Sequence, residues 1–272
     1  MTGGLLTSGP RELRDLEEVR VACGDDDLVM WTAQDLRGGA RAWAMGDAVV
    51  AACPEVSRRD RVAVWGGAAC AAVLLRHALA ELGPHYRPFG EAELVRDVVA
   101  EVEGLEVAGG FSWMTLDGPP ARALALDAAP DGQDGPGGPA GASGEAVRWL
   151  GPEAHGEVAA LLAAGAPESY AVPGAPGVRR WAGVRAGGTL AAVAADAWSA
   201  PTVGLLAGVA TAAALRGRGL AGRVCRWVAA RLVAEHGRAA LMVDDDNPAA
   251  VAVYERIGFR RRRVLAAYVP GT

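Results

Sequence analysis

The spacing of hydrophobic and polar positions predicts two successive runs of strands and helices, separated by one polar segment. In the second run, strands are predicted at 146–150, 181–185, 190–198, 203–211, 239–243 and 264–269, and helices at about 152–164, from just after residue 215 to 236, and at 248–257. The first run predicts a hairpin at 41–53, a strand at 61–67, helices at 68–82 and 91–102, and a closing strand at 105–116. Strands that alternate with helices favour an α/β architecture.

The segment 127–145 is rich in Pro, Gly, Asp and Ser and has no periodic apolar pattern, so it is interpreted as a flexible linker. The predicted organisation is an N-terminal α/β domain at 1–126, the linker at 127–145 and a second domain at 146–272.

Composition excludes several classes of protein. The chain is 51% hydrophobic and 22% charged, which is typical of a globular protein. Residues 1–145 hold 12 arginines against 23 acidic residues, and residues 146–272 hold 15 against 9. A basic second half suits a ligand that carries phosphates, and an acidic first half could attract a cationic amine; two ordinary surfaces that attract one another explain the split equally well. With a net charge of −5 and no basic, aromatic ribbon, a nucleic-acid partner is not expected.

The stretch 186–215 has Asp196 as its one charged residue, but Gly187-Gly188, Pro201 and Gly208 favour buried strands over a membrane span. No signal-peptide pattern opens the chain, so we expect a cytoplasmic protein. Its four cysteines, far apart and without histidines at metal-binding spacing, are predicted to be reduced, and no metal site is expected.

The most informative segment is GVATAAALRGRGLA, residues 208–221, which combines a strand, an Arg/Gly-rich connection and the start of a helix. Gly217, Gly219 and Gly222 allow the backbone to approach a ligand, and the first turn of the helix offers free N–H groups to an anion. Arg216 and Arg218 add positive charge. A phosphate-bearing ligand is therefore predicted here. Neither the P-loop nor the dinucleotide-binding pattern fits these positions.

A second motif follows at residues 247–259, NPAAVAVYERIGF. Asn247 is a good helix cap and Pro248 a good first helical residue, and Gly258 ends the predicted helix.

Together these motifs resemble the GNAT superfamily of N-acyltransferases. Its R-x-x-G-x-A/G signature is matched by Arg216, Gly219 and Ala221, and its N-x6-Y-x3-G-F spacing by Asn247, Tyr254, Gly258 and Phe259. Val209 and Thr211 match the V-x-T form of the branch similar to the C-terminal domain of glycine N-acyltransferases. The resemblance implies a mixed, mostly antiparallel sheet flanked by helices, with splayed fourth and fifth strands. It covers residues 146–272; the first half shows the same order of elements more faintly, which fits a degenerate GNAT repeat in a tandem protein or, alternatively, an unrelated α/β cap.

The resemblance also implies roles for individual residues. Acetyl-CoA, or another short acyl-CoA, would bind along the fourth strand and at the start of the next helix; the residues concerned are Val209, Ala210, Thr211, Arg216, Gly217, Arg218, Gly219, Leu220, Ala221 and Gly222, with Asn247 as a further contact. The Val209 amide would face the thioester oxygen. Tyr254 is the candidate general acid; packing against the last strand is its alternative role.

The general base is not determined by the pattern. Asp196 is one candidate, and the others are residues 244–246 and Glu168; His155 and His236 are less suited, and an ordered water would serve as well. The predicted function is acyl transfer to a primary amine of a small molecule or a protein, by a monomer or homodimer. The alternative is a non-enzymatic acyl-CoA sensor or scaffold.

Overall fold

The computed structural model describes residues 9–118, 120 and 146–272; the predicted linker at 127–145 lies outside the described residues. The first half contains β1 (Arg11–Leu13), α1 (Leu16–Ala22), α2 (Asp27–Ala33), β2 (Arg41–Met45), β3 (Ala48–Val56), β4 (Arg59–Trp65), α3 (Ala68–Leu82), β5 (Arg87–Glu91), α4 (Ala92–Glu101) and β6 (Glu106–Asp117). The second half contains β7 (Arg148–Leu150), α5 (His155–Gly165), β8 (Val178–Ala186), β9 (Thr189–Ala197), β10 (Gly204–Thr211), α6 (Leu220–His236), β11 (Arg238–Asp244), α7 (Pro248–Ile257) and β12 (Arg260–Tyr268).

The twelve strands of the described residues form one sheet, in the order β1-β2-β3-β4-β5-β12-β6-β11-β10-β9-β8-β7. Two pairs are parallel, β4 with β5 and β10 with β11, and the other neighbours are antiparallel. The last strand of the chain, β12, lies between β5 and β6, and β6 lies between β12 and β11. Each half therefore contributes its final strand to the junction with the other half.

Alternation of side chains along the strands divides the core between the two faces of the sheet. On β9, Val193 and Ala195 belong to the cluster that contains α1, α2 and part of α5, whereas Ala192 and Ala194 belong to the cluster under α6 and α7. A third cluster lies beneath α3 and α4. The first cluster spans both halves: Trp31 on α2 packs against Trp113 on β6, and its indole N–H donates to the Trp198 carbonyl at 2.8 Å.

Some predicted boundaries differ from the observed ones. The helix predicted at 152–164 begins with a 3-10 turn at Pro152–Ala154 before α5, and β12 begins at Arg260 instead of residue 264. Strands β1 and β5 and helices α1 and α2 had not been predicted. Among the described residues, no helix combines the length and the apolar character that a membrane crossing requires.

Candidate active site

The parallel strands β10 and β11 separate after a short paired stretch. They pair only at Gly204 with Ala239 and at Leu205 with Ala240, so the rest of both strands runs without ladder bonds between them. The backbone edges facing this opening are free to bind an extended ligand, because a strand edge presents unpaired N–H and C=O groups. This is the splay predicted for the fourth and fifth strands of the second half.

On its other edge, β10 contains a bulge. Its pairing with β9 shifts register between Ala207 and Ala210, so Gly208 and Val209 are the irregular residues. Gly208 has φ of +61°, and a Cβ there would lie 2.5 Å from Cη2 of Trp181 and 3.1 Å from Cβ of Ala171. Both neighbours are almost fully buried. Position 208 therefore requires glycine for its conformation and for space.

Helix α6 begins after the Arg/Gly-rich connection, which follows the end of β10 and a 3-10 turn at Ala213–Leu215. Gly217 and Gly219 have φ of +78° and +75°, and a Cβ on either would meet no atom within 4 Å. Within the part of the chain that the structure describes, no side chain caps this helix, in contrast to α7, where Asn247 accepts a hydrogen bond from the Ala250 amide at 3.1 Å. The N–H groups of the first turn, Leu220 to Gly222, thus receive no side-chain cap and lie at the positive end of a 17-residue helix.

The two arginines of the connection are exposed. Arg216 donates to the Gly165 carbonyl at 3.3 Å, which connects the anion cradle, residues 216–222, to the end of α5. The arrangement of positive helix end, two guanidinium groups and open backbone fits a phosphate-bearing ligand.

Tyr254 lies on the buried side of α7, where its ring packs against Phe259 with ring centroids 6.0 Å apart. Burial raises the pKa of its phenol well above the usual value, and the nearby Cys225 thiol adds to the shift. The phenol is therefore protonated at neutral pH, which proton donation requires. The packing role is visible in the structure, and the role of general acid stays a prediction.

Asp196 is not brought together with the cradle. Its buried carboxylate accepts hydrogen bonds from Nε of Arg180 at 3.0 Å and from the Ser199 hydroxyl at 2.6 Å. Arg180 also pairs with Glu235 in the last turn of α6, roughly 25 Å of helix away from the first turn. This position gives Asp196 a structural ion pair, and its assignment as the base gains no support from the geometry.

The other candidate bases are likewise dispersed. Asp245 accepts hydrogen bonds from Ser112 and Arg261, and these interactions lower the pKa of its carboxyl. Asp244, Asp246 and Glu168 are exposed. His236 lies beside Arg179 and the Pro201 carbonyl at the far end of α6. The residues that sequence reasoning missed are Trp181 and Ala171 beneath the bulge; a glycine inside an apolar strand was the available signal.

Comparison with known proteins agrees with this geometry. Residues 182–267 match a family model described as FR47-like protein. The chain is similar to a GCN5-related N-acetyltransferase from Kribbella flavida, with 19% identity, 93% of this chain and 96% of that chain covered, and a TM-score of 0.58. It is also similar to a GCN5-related N-acetyltransferase from Sphaerobacter thermophilus (15% identity, 92% and 88% covered, TM-score 0.52) and to a GNAT-family acetyltransferase from Colwellia psychrerythraea (13%, 96% and 99%, 0.51). No curated protein matches the chain.

The chain has the fold of the GNAT superfamily of N-acyltransferases. Residues 182–267 of the chain are similar to the FR47-like family. This range includes the splayed strands β10 and β11, the cradle and α7. The predicted resemblance and fold class are thereby confirmed.

Proposed function

We propose that this protein is an acyl-CoA-dependent N-acyltransferase that transfers an acetyl group from acetyl-CoA to a primary amine. The observation that carries the proposal is the junction of three features in one place: the open edge of β10, the bulge at Gly208 and the uncapped start of α6. An extended thioester with phosphates at one end needs these features in this order.

The residues of the cradle would hold the phosphates. Amides of Leu220, Ala221 and Gly222 donate along the helix axis, and Arg216 and Arg218 contribute charge at the rim. Such charge-assisted hydrogen bonds contribute about 1.5–3 kcal/mol each. Along β10, Val209, Ala210 and Thr211 would bind the acyl arm by backbone hydrogen bonds, and the Val209 amide would face the acyl oxygen. Asn247 already caps α7, and a cofactor contact would add to that role.

When bound, acetyl-CoA supplies an activated acyl group and a thiolate leaving group. The chain must then accept a proton from the attacking amine and give one to the thiolate. Tyr254 holds a phenolic proton for the second task. For the first, an ordered water or an amine that arrives neutral is the simplest choice, because Asp196 and Asp245 are bound by arginines.

Cofactor binding is tested by thermal unfolding with and without CoA. A ligand at 100 times its dissociation constant stabilises the native state by about 2.7 kcal/mol. Gly219→Leu should abolish this stabilisation. Gly237→Leu is the matched control, since Gly237 ends the same helix with φ of +86° and equally open space, so both variants carry the same backbone strain. Equal CoA stabilisation in both variants would reject the cradle.

The alternative function, an acyl-CoA sensor without catalysis, is favoured by one observation: two of the candidate bases, Asp196 and Asp245, are held by arginines. Tyr254→Phe separates the two. An enzyme assayed by thiol release with an amine panel should lose turnover while its CoA affinity is kept, whereas a sensor releases no thiol in either form.

A further inference from the structure

A cavity lies at the end of two neighbouring strands in the first half. Strands β4 and β5 are parallel and pair from Arg61 with Arg87 to Val64 with Gly90, where the pairing ends. A cavity of about 280 Å³ is found at this end of the two strands. Leu28, Val64 and Leu94 give it an apolar floor. Its size is slightly below the usual range for drug-sized ligands, which favours a compact molecule.

The polar groups of this cavity are mainly acidic. Asp26 and Glu91 line it, and Arg262 is the one cation among the lining residues. Arg262 is already paired with the carboxylates of Asp26 and Asp27. Glu91 is exposed, and one of its oxygens accepts a hydrogen bond from the Leu94 amide at 3.2 Å. Its charge also acts on Arg262, so one guanidinium faces the three carboxylates of Asp26, Asp27 and Glu91. The cavity therefore carries a net negative charge.

An indole forms one wall. Trp65 is half-buried and lies at the end of β4, where pairing with β5 has stopped. The face of an indole attracts cations, and a carboxylate beside it strengthens the attraction. An apolar floor, an aromatic wall and a surplus of carboxylates over cations are the chemistry that recognises an alkylammonium group.

A phosphate-bearing ligand does not fit the cavity at the end of β4 and β5. Gly67 is the N-cap of helix α3, and a Cβ on Gly67 would collide with the carboxylate of Asp47, which shows how closely that anion lies to the helix start. No arginine occurs between Gly66 and Leu75, whereas the cradle of α6 has two within three residues. The cavity and the cradle of α6 therefore select ligands of opposite charge.

We propose that the cavity at the end of β4 and β5 is a binding site for a small organic ammonium ion, recognised by the indole of Trp65 and the carboxylate of Glu91. This cavity is distinct from the opening between β10 and β11, because β12 and β6 lie between β5 and β11. At the usual strand spacing, the two sites are roughly 15 Å or more apart. The inference does not depend on the proposed acyltransferase activity.

The test uses choline and its uncharged isostere 3,3-dimethylbutan-1-ol, which has the same shape, in titrations of the full chain followed by calorimetry or NMR. Choline should bind one site per chain, and the neutral alcohol at least about tenfold more weakly, because charge drives the recognition. Equal affinity for both molecules would overturn the proposal. So would the absence of choline binding at choline concentrations of about 20 mM or more.

Two variants locate the site. Glu91→Gln removes the charge but keeps an oxygen for the Leu94 amide, and it should weaken choline binding about fivefold or more. Glu93→Gln is the matched control, since Glu93 is exposed in the first turn of the same helix but does not line the cavity. An equal effect of both variants would mean that choline responds only to overall charge, and the assignment would fail. CoA should leave choline affinity unchanged, which keeps this result separate from the test of the cradle.

Discussion

Replacing Gly208 with alanine tests the physical account of the β10 bulge. The added Cβ would lie 2.5 Å from Cη2 and 2.8 Å from Cζ3 of Trp181, and 3.1 Å from Cβ of Ala171. Contacts this short require movement of a neighbour, and Trp181 is only 1% exposed, so it has no free space into which to move. The positive φ of +61° adds backbone strain.

The expected loss is the sum of two effects. An alanine in the left-handed region costs about 1–2 kcal/mol, and overpacking a filled core costs about 1–3 kcal/mol. Gly208→Ala should therefore lower the free energy of unfolding by about 2–5 kcal/mol in urea titrations at 25 °C. Since each kcal/mol moves the midpoint of a domain of this size by about 2–4 °C, thermal unfolding should shift downward by about 4–20 °C.

Gly188→Ala separates strain from collision. Gly188 has φ of +81° in the turn between β8 and β9, and a Cβ there would meet nothing within 4 Å. It should lose only about 1–2 kcal/mol. A double-mutant cycle with Trp181→Leu should recover the overpacking part of the Gly208→Ala loss. If Gly208→Ala is no less stable than Gly188→Ala, the steric reasoning is refuted.

Three further predictions follow from the burial of polar groups. Asp196→Asn should lower the free energy of unfolding by about 2–4 kcal/mol, because it breaks a buried ion pair; unchanged stability together with lost turnover would instead make Asp196 a base. The free energy of unfolding of the wild type should fall as the pH rises above about 10, because the unfolded chain releases the Tyr254 proton there, whereas burial raises the pKa of this phenol in the folded chain. In urea unfolding, Tyr254→Phe should lose less stability than the wild type between about pH 8 and 10.5. An identical loss in both proteins would contradict the burial argument. A thiol reagent at about pH 8 should label Cys70 quickly and Cys225 only on unfolding, because Cys70 is half-buried whereas burial raises the pKa of Cys225 to about 12. Cys70→Ala should remove the fast reaction. Fast labelling of Cys70→Ala would contradict the prediction.

The second half of the chain was predictable because its motifs act locally. The pair Asn247-Pro248 starts α7 and Gly258 ends it, so the predicted bounds of 248–257 equal the observed ones. The glycines and arginines before Leu220 likewise predicted the cradle. Backbone conformation and helix capping are decided within a few residues, which a sequence pattern can report.

Long-range pairing was not predictable in the same way. Residues 260–263 are four arginines, a pattern that does not indicate a strand, yet they form the start of β12. Each has a carboxylate within reach: Arg260 pairs with Asp117, Arg262 with Asp26 and Asp27, and Arg261 and Arg263 with Asp245. These partners come from distant parts of the chain, so local periodicity carries no sign of them.

The position of Asp196 illustrates the same limit at the candidate site. Its place on an apolar strand suggested a functional carboxylate, but only the fold reveals Arg179 and Arg180 beside it. The cavity beside Trp65 was missed for a related reason, since β5 is five residues long, contains Pro88 and had not been predicted as a strand.

The central claim, that the opening of β10 and the start of α6 bind an acyl-CoA, is tested most directly by calorimetric titration of the full chain with acetyl-CoA. We expect one site per chain, because α6 is the one helix among the described residues that follows an arginine-rich connection and has no side-chain cap, whereas Asp47 lies against the start of α3. Heat that saturates at one acetyl-CoA per chain would support the account. An absence of binding at millimolar acetyl-CoA, or two equivalent sites per chain, would contradict it.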